Sequence, residues 1–127
     1  SEERFRTLAE TLPHLVWMTN GRGEYEFASH QWQAYSGLDS THPDTWASLV
    51  HPDDLPALTQ AWEQCLHTGQ PYKAEVRLRR LDGAFRWHAV HGEPLRDDAG
   101  NIARWIGAFT DVHDQKTFAG QLEALVA

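Results

Sequence analysis

The stretch RLRRLDGAFRWHAVHGEPLRDDAGNIARWIGAFTDVHDQK, residues 77–116, decides the fold that we predict for this chain. Its apolar and polar residues form long extended runs, which two turn signals interrupt. Asp82-Gly83 is a pair typical of tight hairpins, and DDAG at 97–100 is a second polar turn. We therefore predict three successive antiparallel strands, over residues 72–81, 84–95 and 101–112.

The first turn also predicts which strand residues face one another. If the hairpin joins Leu81 directly to Ala84, then Arg79 lies opposite Arg86 on a polar face that Leu78 does not share. Two facing arginines repel one another, so we expect an anion or a carboxylate beside them.

The second turn supplies that carboxylate. If it joins Arg96 to Asn101, then Asp111 lies opposite Arg86, where the last strand gives way to a helix. A slip of two residues keeps Asp111 on the arginine face, whereas a slip of one residue moves it to the other face.

The predicted arginine face also carries Trp105 and Phe109, an apolar patch that should not stay bare in water. Residues 2–12 have the apolar spacing of an amphipathic helix. We expect this helix to cover the patch, on its own sheet or in a dimer. Its apolar stripe consists of Phe5, Leu8, Ala9 and Leu12.

Between this helix and the three strands, the sequence predicts two more strands and a block of helices. HLVWMT (14–19) and EYEFAS (24–29) are the predicted strands. Three helices follow, and the longest lies within 51–69 with Asp53 or Asp54 as its cap. Strand runs separated by a helical block indicate an α+β fold with an antiparallel sheet.

A chain of 127 residues suits one domain with one core. We divide it into an amphipathic flanking helix (1–12), a main domain (13–112) and a C-terminal helix (113–127). The last helix carries the 4-3 spacing of a coiled-coil seam, unless it folds back on its own domain. We expect this helix to continue toward a further domain of a longer protein. The seam residues are Phe118, Leu122 and Leu125.

Composition excludes some classes of function. The formal net charge of −7 argues against a nucleic-acid partner, because such binding depends on a basic surface. No apolar run approaches the ~18 residues of a membrane span, so we expect no direct membrane contact. The single cysteine, Cys65, fits a reducing compartment, and we expect the chain to be cytoplasmic.

Three segments together resemble the PAS domain family. They are HPDDL (51–55), NGRGEYEFAS (20–29) and the stretch 77–116, and the resemblance extends over residues 5–116. TDVH, ending at His113, is similar to the motif that closes these domains, although the family usually has Thr at the position of His113.

This resemblance implies a five-stranded antiparallel sheet of order 2-1-5-4-3, with helices on one face and flanking helices at both ends. It implies a pocket between sheet and helices, and a signal that passes through the last strand into the C-terminal helix. It also implies that Asp111 pairs with a basic residue on a neighbouring strand, Arg86 first and Arg79 as the alternative.

The aromatic residues of the chain allow two interpretations. They line a pocket for an unknown small molecule, or they simply fill the core, as bulky side chains often do. The candidate pocket residues are Trp32, Tyr35, Trp62, Leu78 and Trp87.

Cofactors and catalysis find little support in the sequence. The long helix offers only His67, near its end, as a haem ligand, and Cys65 lacks the motif of a flavin-reactive cysteine. We therefore predict no haem, no flavin and no metal site. HPDD (51–54) resembles a catalytic cluster, but a turn with a helix cap explains it better, and no enzymatic site is expected.

The sequence thus favours a sensory and regulatory PAS module that is covalently linked to an output domain, most often a histidine kinase. A ligand-free dimerisation or spacer module is the alternative, and a diguanylate cyclase or another output protein is an alternative parent. We expect a homodimer. The candidate contact residues are Phe5, Leu8, Leu12, Trp105 and Phe109.

Overall fold

The structure, a computed structural model, describes residues 2–38 and 45–126. The order of elements agrees with the prediction: a helix, two strands, three helices, three strands and a helix. The elements are α1 (Glu2–Thr11), β1 (Leu15–Asn20), β2 (Tyr25–Ala28), α2 (Gln31–Ser36), α3 (Thr45–Leu49), α4 (Leu55–Thr68), β3 (Tyr72–Arg79), β4 (Phe85–Arg96), β5 (Ile102–Asp111) and α5 (His113–Val126).

The five strands form one antiparallel sheet in the order β2-β1-β5-β4-β3, which confirms the predicted topology. The first and last strands of the chain's main domain therefore lie side by side at the centre. As a result, β5 pairs with β4 from Ile102 to Asp111 and with β1 from Arg104 to Phe109 before it leads into α5.

The predicted register of the β3–β4 hairpin is wrong by one residue. Arg79 faces Phe85, and Leu78, not Arg79, faces Arg86. Arg80 N–H donates to Ala84 O at 2.7 Å, so the hairpin closes at this pair and the loop has three residues, 81–83. A third loop residue moves every side chain of β3 to the opposite face from the one predicted.

The β4–β5 register differs from the prediction by two residues, so the predicted faces survive. Asp111 faces His88 instead of Arg86, and Phe109 faces Val90. The pairing is irregular between Leu95 and Arg96, which accounts for one residue of this shift. The other comes from the turn, where Asp97 N–H donates to Asn101 O at 2.8 Å and closes a loop of three residues instead of the predicted four.

One face of the sheet, called the inner face below, packs against α2, α3 and α4. Trp17 on this face lies across Gly92 and Gly107, which face each other on β4 and β5. A Cβ atom at Gly92 would lie 2.7 Å from the Trp17 ring. The buried inner core consists of Leu15, Trp17, Trp32, Leu49, Val50, Leu58, Tyr72, Val76, Leu78, Val90, Trp105 and Phe109.

The other face, the outer face, is covered on its β1–β2 side by α1. Phe5 of α1 packs edge-on against Phe27, with ring centroids 6.0 Å apart. The prediction that α1 covers Trp105 and Phe109 is wrong, because both belong to the inner core. The outer core consists of Ala9, Val16, Met18 and Phe27, with Phe5, Ile106 and Ala108 packed against it.

Within residues 2–38 and 45–126, no helix combines the length and apolar character that crossing a membrane requires.

Candidate functional site

The junction between β5 and α5 brings Asp111 and Arg86 together, as the sequence predicted. Arg86 Nε lies 2.6 Å from Asp111 Oδ2, and Arg86 Nη2 lies 3.4 Å from Asp114 Oδ1. Arg79, the predicted alternative partner, is exposed and lies on the outer face of β3. The one-residue difference in register separates it from Asp111.

Asp111 also binds the first residue of α5. The backbone N–H of His113 donates to Asp111 Oδ1 at 2.9 Å, so one carboxylate joins a neighbouring strand to the start of the helix. Partial burial raises the pKa of Asp111, but the hydrogen bonds from Arg86 and His113 outweigh burial and place the pKa below its ordinary value. Asp111 is therefore ionised at neutral pH.

His88 lies beneath this ion pair and is only 2% exposed. Its Nδ1 lies 3.0 Å from Arg86 O, and because a carbonyl only accepts, Nδ1 carries the proton. Burial lowers the pKa of His88, which keeps the ring neutral. The hairpin register that puts Arg79 opposite Arg86 also puts His88 opposite Arg77, on the polar face, so the sequence gave no signal that His88 is buried.

A cleft of about 600 Å³ opens beside the junction, between α2 and the β3–β4 turn. The Tyr35 hydroxyl donates to Leu78 O at 2.8 Å, and burial raises the pKa of Tyr35 to about 12. Arg80 and Asp82 form an ion pair at its rim. The cleft is lined by Pro13, Leu15, Gln31, Ala34, Tyr35, Arg80, Leu81, Asp82, His88, Phe109 and Asp111.

Most of the predicted pocket residues lie in the packed interior. Trp62 contacts the rings of Trp17 and Trp105, with centroids 5.5 and 5.2 Å away. Trp32 packs against Phe109 at 5.3 Å, and Leu78 is fully buried. Of the predicted set, Tyr35 lines the cleft described above. These rings occupy the space between sheet and α4.

Two buried donors remain in this interior. Within the described part of the chain, the indole N–H groups of Trp17 and Trp105 have no acceptor. Both rings contact Trp62, so both donors lie in the part of the interior between the sheet and α4.

Trp87 does not belong to the pocket, which corrects the sequence-based assignment. It lies on the outer face, where Arg77 and Lys116 approach its ring to 5.0 and 4.7 Å. Its backbone holds the start of α5: Val112 N–H donates to Trp87 O at 2.9 Å, and Trp87 N–H donates to His113 Nδ1 at 3.2 Å.

Asp54, at the N-cap position of α4, has a different partner from the predicted one. Its carboxylate makes no capping bond and instead accepts from Arg77 Nε, Arg77 Nη2 and the Arg77 backbone N–H, at 3.0, 2.7 and 2.8 Å. The hydrogen bond from the Arg77 side chain lowers the pKa of Asp54. Because β3 is the edge strand, its N–H groups are available for such a contact.

The predicted dimer residues fall into two groups. Leu8 on α1 is 59% exposed, and Leu12, the residue after α1, is 46% exposed. Phe5 is half-buried against Phe27. Trp105 and Phe109 are 0% and 5% exposed in the inner core, so they offer no surface to a partner. On α5, Phe118, Leu122 and Leu125 are all exposed.

No group of three or more His, Cys, Asp or Glu side chains is arranged to hold a metal ion among the described residues.

Comparison with known proteins places this arrangement in context. The family model described as PAS fold matches residues 25–109. The chain is 31% identical, over 120 residues, to the peroxide stress-activated histidine kinase mak1 of Schizosaccharomyces pombe. The match covers 93% of the chain but 7% of that relative, so the chain spans a small part of the relative's length.

Many solved structures share the fold, among them the following two. The sensory box histidine kinase/response regulator from Burkholderia thailandensis matches with a TM-score of 0.68 and 28% identity, over 95% of this chain and 93% of that chain. The N-terminal domain of a diguanylate cyclase with PAS/PAC sensor from Marinobacter aquaeolei matches with a TM-score of 0.70 and 22% identity, over 81% and 98% of the two chains.

Proposed function

The chain belongs to the PAS fold family, and from this premise we propose that it is the sensory and regulatory module of a signal-transducing histidine kinase. Input reaches the sheet and leaves through β5 into α5, which connects to a covalently linked output domain. The relay residues are Asp111 and Arg86.

The observation that carries this proposal is the position of the Asp111 carboxylate. It accepts two hydrogen bonds from Arg86 on the sheet and one from the first amide of α5. A movement of β4 against β5 therefore pulls on the same group that orients the helix. The cleft beside Asp111 opens at the surface, so binding in the cleft acts directly on this junction.

A relay of this kind requires two helix orientations of similar free energy. Input biases them only if it interacts differently with the two states, and a bias of 1.4 kcal/mol changes their ratio about tenfold. An exposed ion pair contributes about 0–1 kcal/mol, which suits a group that selects between states better than one that stabilises the domain.

We expect Asp111→Asn in the full-length kinase to change basal autophosphorylation severalfold, because the neutral amide no longer holds Arg86 as an ion pair. Asp98→Asn, in the exposed β4–β5 turn, is the matched control and leaves the rate unchanged. Equal rates for the wild type and Asp111→Asn, with both proteins folded, would remove Asp111 from the relay.

A second candidate function is a ligand-free dimerisation or spacer module. The contacts of Trp62 with Trp17, Tyr72 and Trp105 favour it, because they fill the interior. In this case the unpaired indole N–H groups bind internal water rather than a ligand. Native mass spectrometry of the purified chain separates the two candidates, since it reports any retained small molecule together with the oligomeric state.

We propose a homodimer in the cytoplasm without haem or flavin, with the exposed stripes of α1 and α5 as the contact surfaces. An absorption spectrum of the purified chain tests the cofactor part, because either group absorbs visible light. A diguanylate cyclase is the alternative parent, and a relative of that class shares the fold.

A further inference from the structure

Two consecutive residues of β4 contact the start of α5 from opposite faces of the sheet. Arg86 lies on the inner face and binds Asp111 and Asp114. Trp87 lies on the outer face, and its ring contacts Lys116, one turn into the helix. Side chains of a strand alternate between faces, so adjacent residues reach one helix from two sides only at the rim of a sheet.

The outer-face contact has several components. Lys116 Nζ lies 4.7 Å from the centroid of the Trp87 ring and 2.8 Å from Glu75 Oε1 on β3. Trp87 N–H also donates to His113 Nδ1, which requires that this nitrogen carries no proton. His113 and Lys116 are three residues apart, so they share the helix face that is turned to the sheet.

The same tryptophan connects this contact to α4. Arg77 lies 5.0 Å from the Trp87 ring and is held by three hydrogen bonds to Asp54, the residue that precedes α4. A continuous series of contacts thus runs across the outer face, and the term outer-face stack is used for it below. Its members are Asp54, Arg77, Trp87, Lys116 and Glu75.

We propose that the outer-face stack is a second positioning device for α5, independent of Asp111 and Arg86, which couples the orientation of α5 to the start of α4. Lys116 is the positioning residue on the helix. The contacts of Arg86 reach no further along the helix than Asp114. Lys116 fixes a second point further along, on the opposite face of the sheet.

The exposure of the helix makes this second contact decisive. Every residue from 117 to 126 is exposed, so packing against the sheet does not set the direction of the distal part of α5. One exposed cation–π contact and one exposed ion pair together favour the docked orientation by roughly threefold to thirtyfold. This ratio leaves both orientations within reach of an input signal.

The test measures the orientation of α5 in the chain itself. Nitroxide labels are placed at Leu95→Cys and Gln121→Cys in a Cys65→Ser background, and labelled protein is diluted with unlabelled protein to remove intermolecular distances. Pulsed electron–electron double resonance then gives the distribution of distances between the label on β4 and the label on α5. Lys116→Gln is expected to broaden this distribution, whereas Lys116→Arg retains the charge and restores the narrow one.

Matched controls separate positioning from general stability. Lys73→Gln removes an exposed lysine from the same face of β3 and is expected to leave the distribution unchanged. Asp54→Asn is expected to broaden it from a distance, whereas Asp82→Asn, which removes another bidentate pair with an arginine, has no effect. Thermal unfolding of each variant shows that the domain remains folded.

An unchanged distribution for Lys116→Gln overturns the positioning role, and an unchanged one for Asp54→Asn overturns the coupling to α4. This proposal depends on the relay in one respect: the relay is the reason why the orientation of α5 matters for signalling. If Asp111→Asn leaves kinase output unchanged while Lys116→Gln reorients the helix, the relay fails and the outer-face stack stands.

Discussion

Asp111 and Asp54 each tie a helix to the sheet through an arginine. Asp111 binds Arg86 and the first amide of α5, and Asp54 binds both the side chain and the backbone of Arg77. Hydrogen bonds to a planar guanidinium fix orientation as well as distance. The Asp54–Arg77 side chains are 16% and 29% exposed, so this pair is the one that we expect to stabilise the domain measurably.

Asp54→Asn is expected to lower the free energy of unfolding by roughly 1–2 kcal/mol at neutral pH, because it removes charge-assisted hydrogen bonds from a partly buried site. Arg77 lowers the pKa of Asp54 in the folded state below the ordinary value of 3.8. The contribution is therefore complete above the ordinary pKa and is lost as the pH falls through the lowered folded pKa. Thermal unfolding of both proteins at a series of pH values measures it.

Asp53→Asn is the control for this prediction, because Asp53 is next to Asp54 in the chain and its side chain is 80% exposed. We expect it to change the free energy of unfolding by no more than about 0.5 kcal/mol at any pH. An advantage of the wild type over Asp54→Asn that grows in acid would contradict the assigned ion pair.

Gly107→Ala is expected to destabilise the domain by roughly 1–3 kcal/mol, because the added methyl group meets the Trp17 ring and lies 2.5 Å from His91 O. Gly120→Ala, in α5, is the matched control: its Cβ meets nothing within 4 Å, and the helix gains up to about 1 kcal/mol. Urea unfolding followed by tryptophan fluorescence compares the two. A neutral Gly107→Ala would mean that Trp17 does not lie against the sheet.

At the scale of elements, the β3–β4 hairpin marks the limit of sequence-based prediction. Asp82-Gly83 correctly located the turn, but the loop includes Leu81, whose N–H donates to Tyr35 O at 2.7 Å. Gly83 adopts φ 90°, which suits the last residue of a three-residue loop. A contact with α2 thus selects the loop length, and a turn dipeptide carries no information about such a distant partner.

The helix α5 is the element whose stripe has no cover within the described chain. Phe118, Leu122 and Leu125 are 60%, 47% and 82% exposed, at the spacing of a coiled-coil seam. An isolated helix of this length is marginal in water, so we expect a second α5 to stabilise it. This expectation concerns association and not the stability of the domain.

Phe118→Ser combined with Leu122→Ser is therefore expected to weaken self-association at least tenfold, while the thermal unfolding midpoint of a dilute sample changes little. Sedimentation equilibrium measures the first quantity. Ala124→Ser, on another side of the same helix, is the control and leaves association unchanged. If the double variant dimerises as the wild type does, α5 is not the contact surface.

At the scale of the whole molecule, α2–α4 cover the inner face of the sheet, and α1 covers the β1–β2 side of the outer face. The sequence predicted the topology because alternation, turns and helix caps are local signals. It assigned α1 to the wrong face because Trp105 and Phe109 were placed beside the arginines of β3, and a single register error reverses that choice. The Asp111–Arg86 contact survived, since it depends on β4 and β5 alone.

One side of α1 packs against the sheet and the other side is exposed. Variants on the two sides therefore separate the role of α1 in folding from its role in association. Phe5 packs against Phe27, whereas Leu8 is 59% exposed. We expect Phe5→Ala to lower the free energy of unfolding by roughly 2–3 kcal/mol, because it removes a side chain that packs against the outer core. Leu8→Ala is expected to leave the unfolding of the monomer within about 0.5 kcal/mol of the wild type.

The two variants are expected to affect association in the opposite order. If α1 contributes to a homodimer through its exposed side, Leu8→Ala weakens association, while Phe5→Ala acts mainly through folding. Urea unfolding at low concentration and sedimentation equilibrium at high concentration measure the two effects separately on the same samples. A Leu8→Ala protein with unchanged association would assign the dimer to α5, and a neutral Phe5→Ala would show that α1 does not cover the outer face in solution.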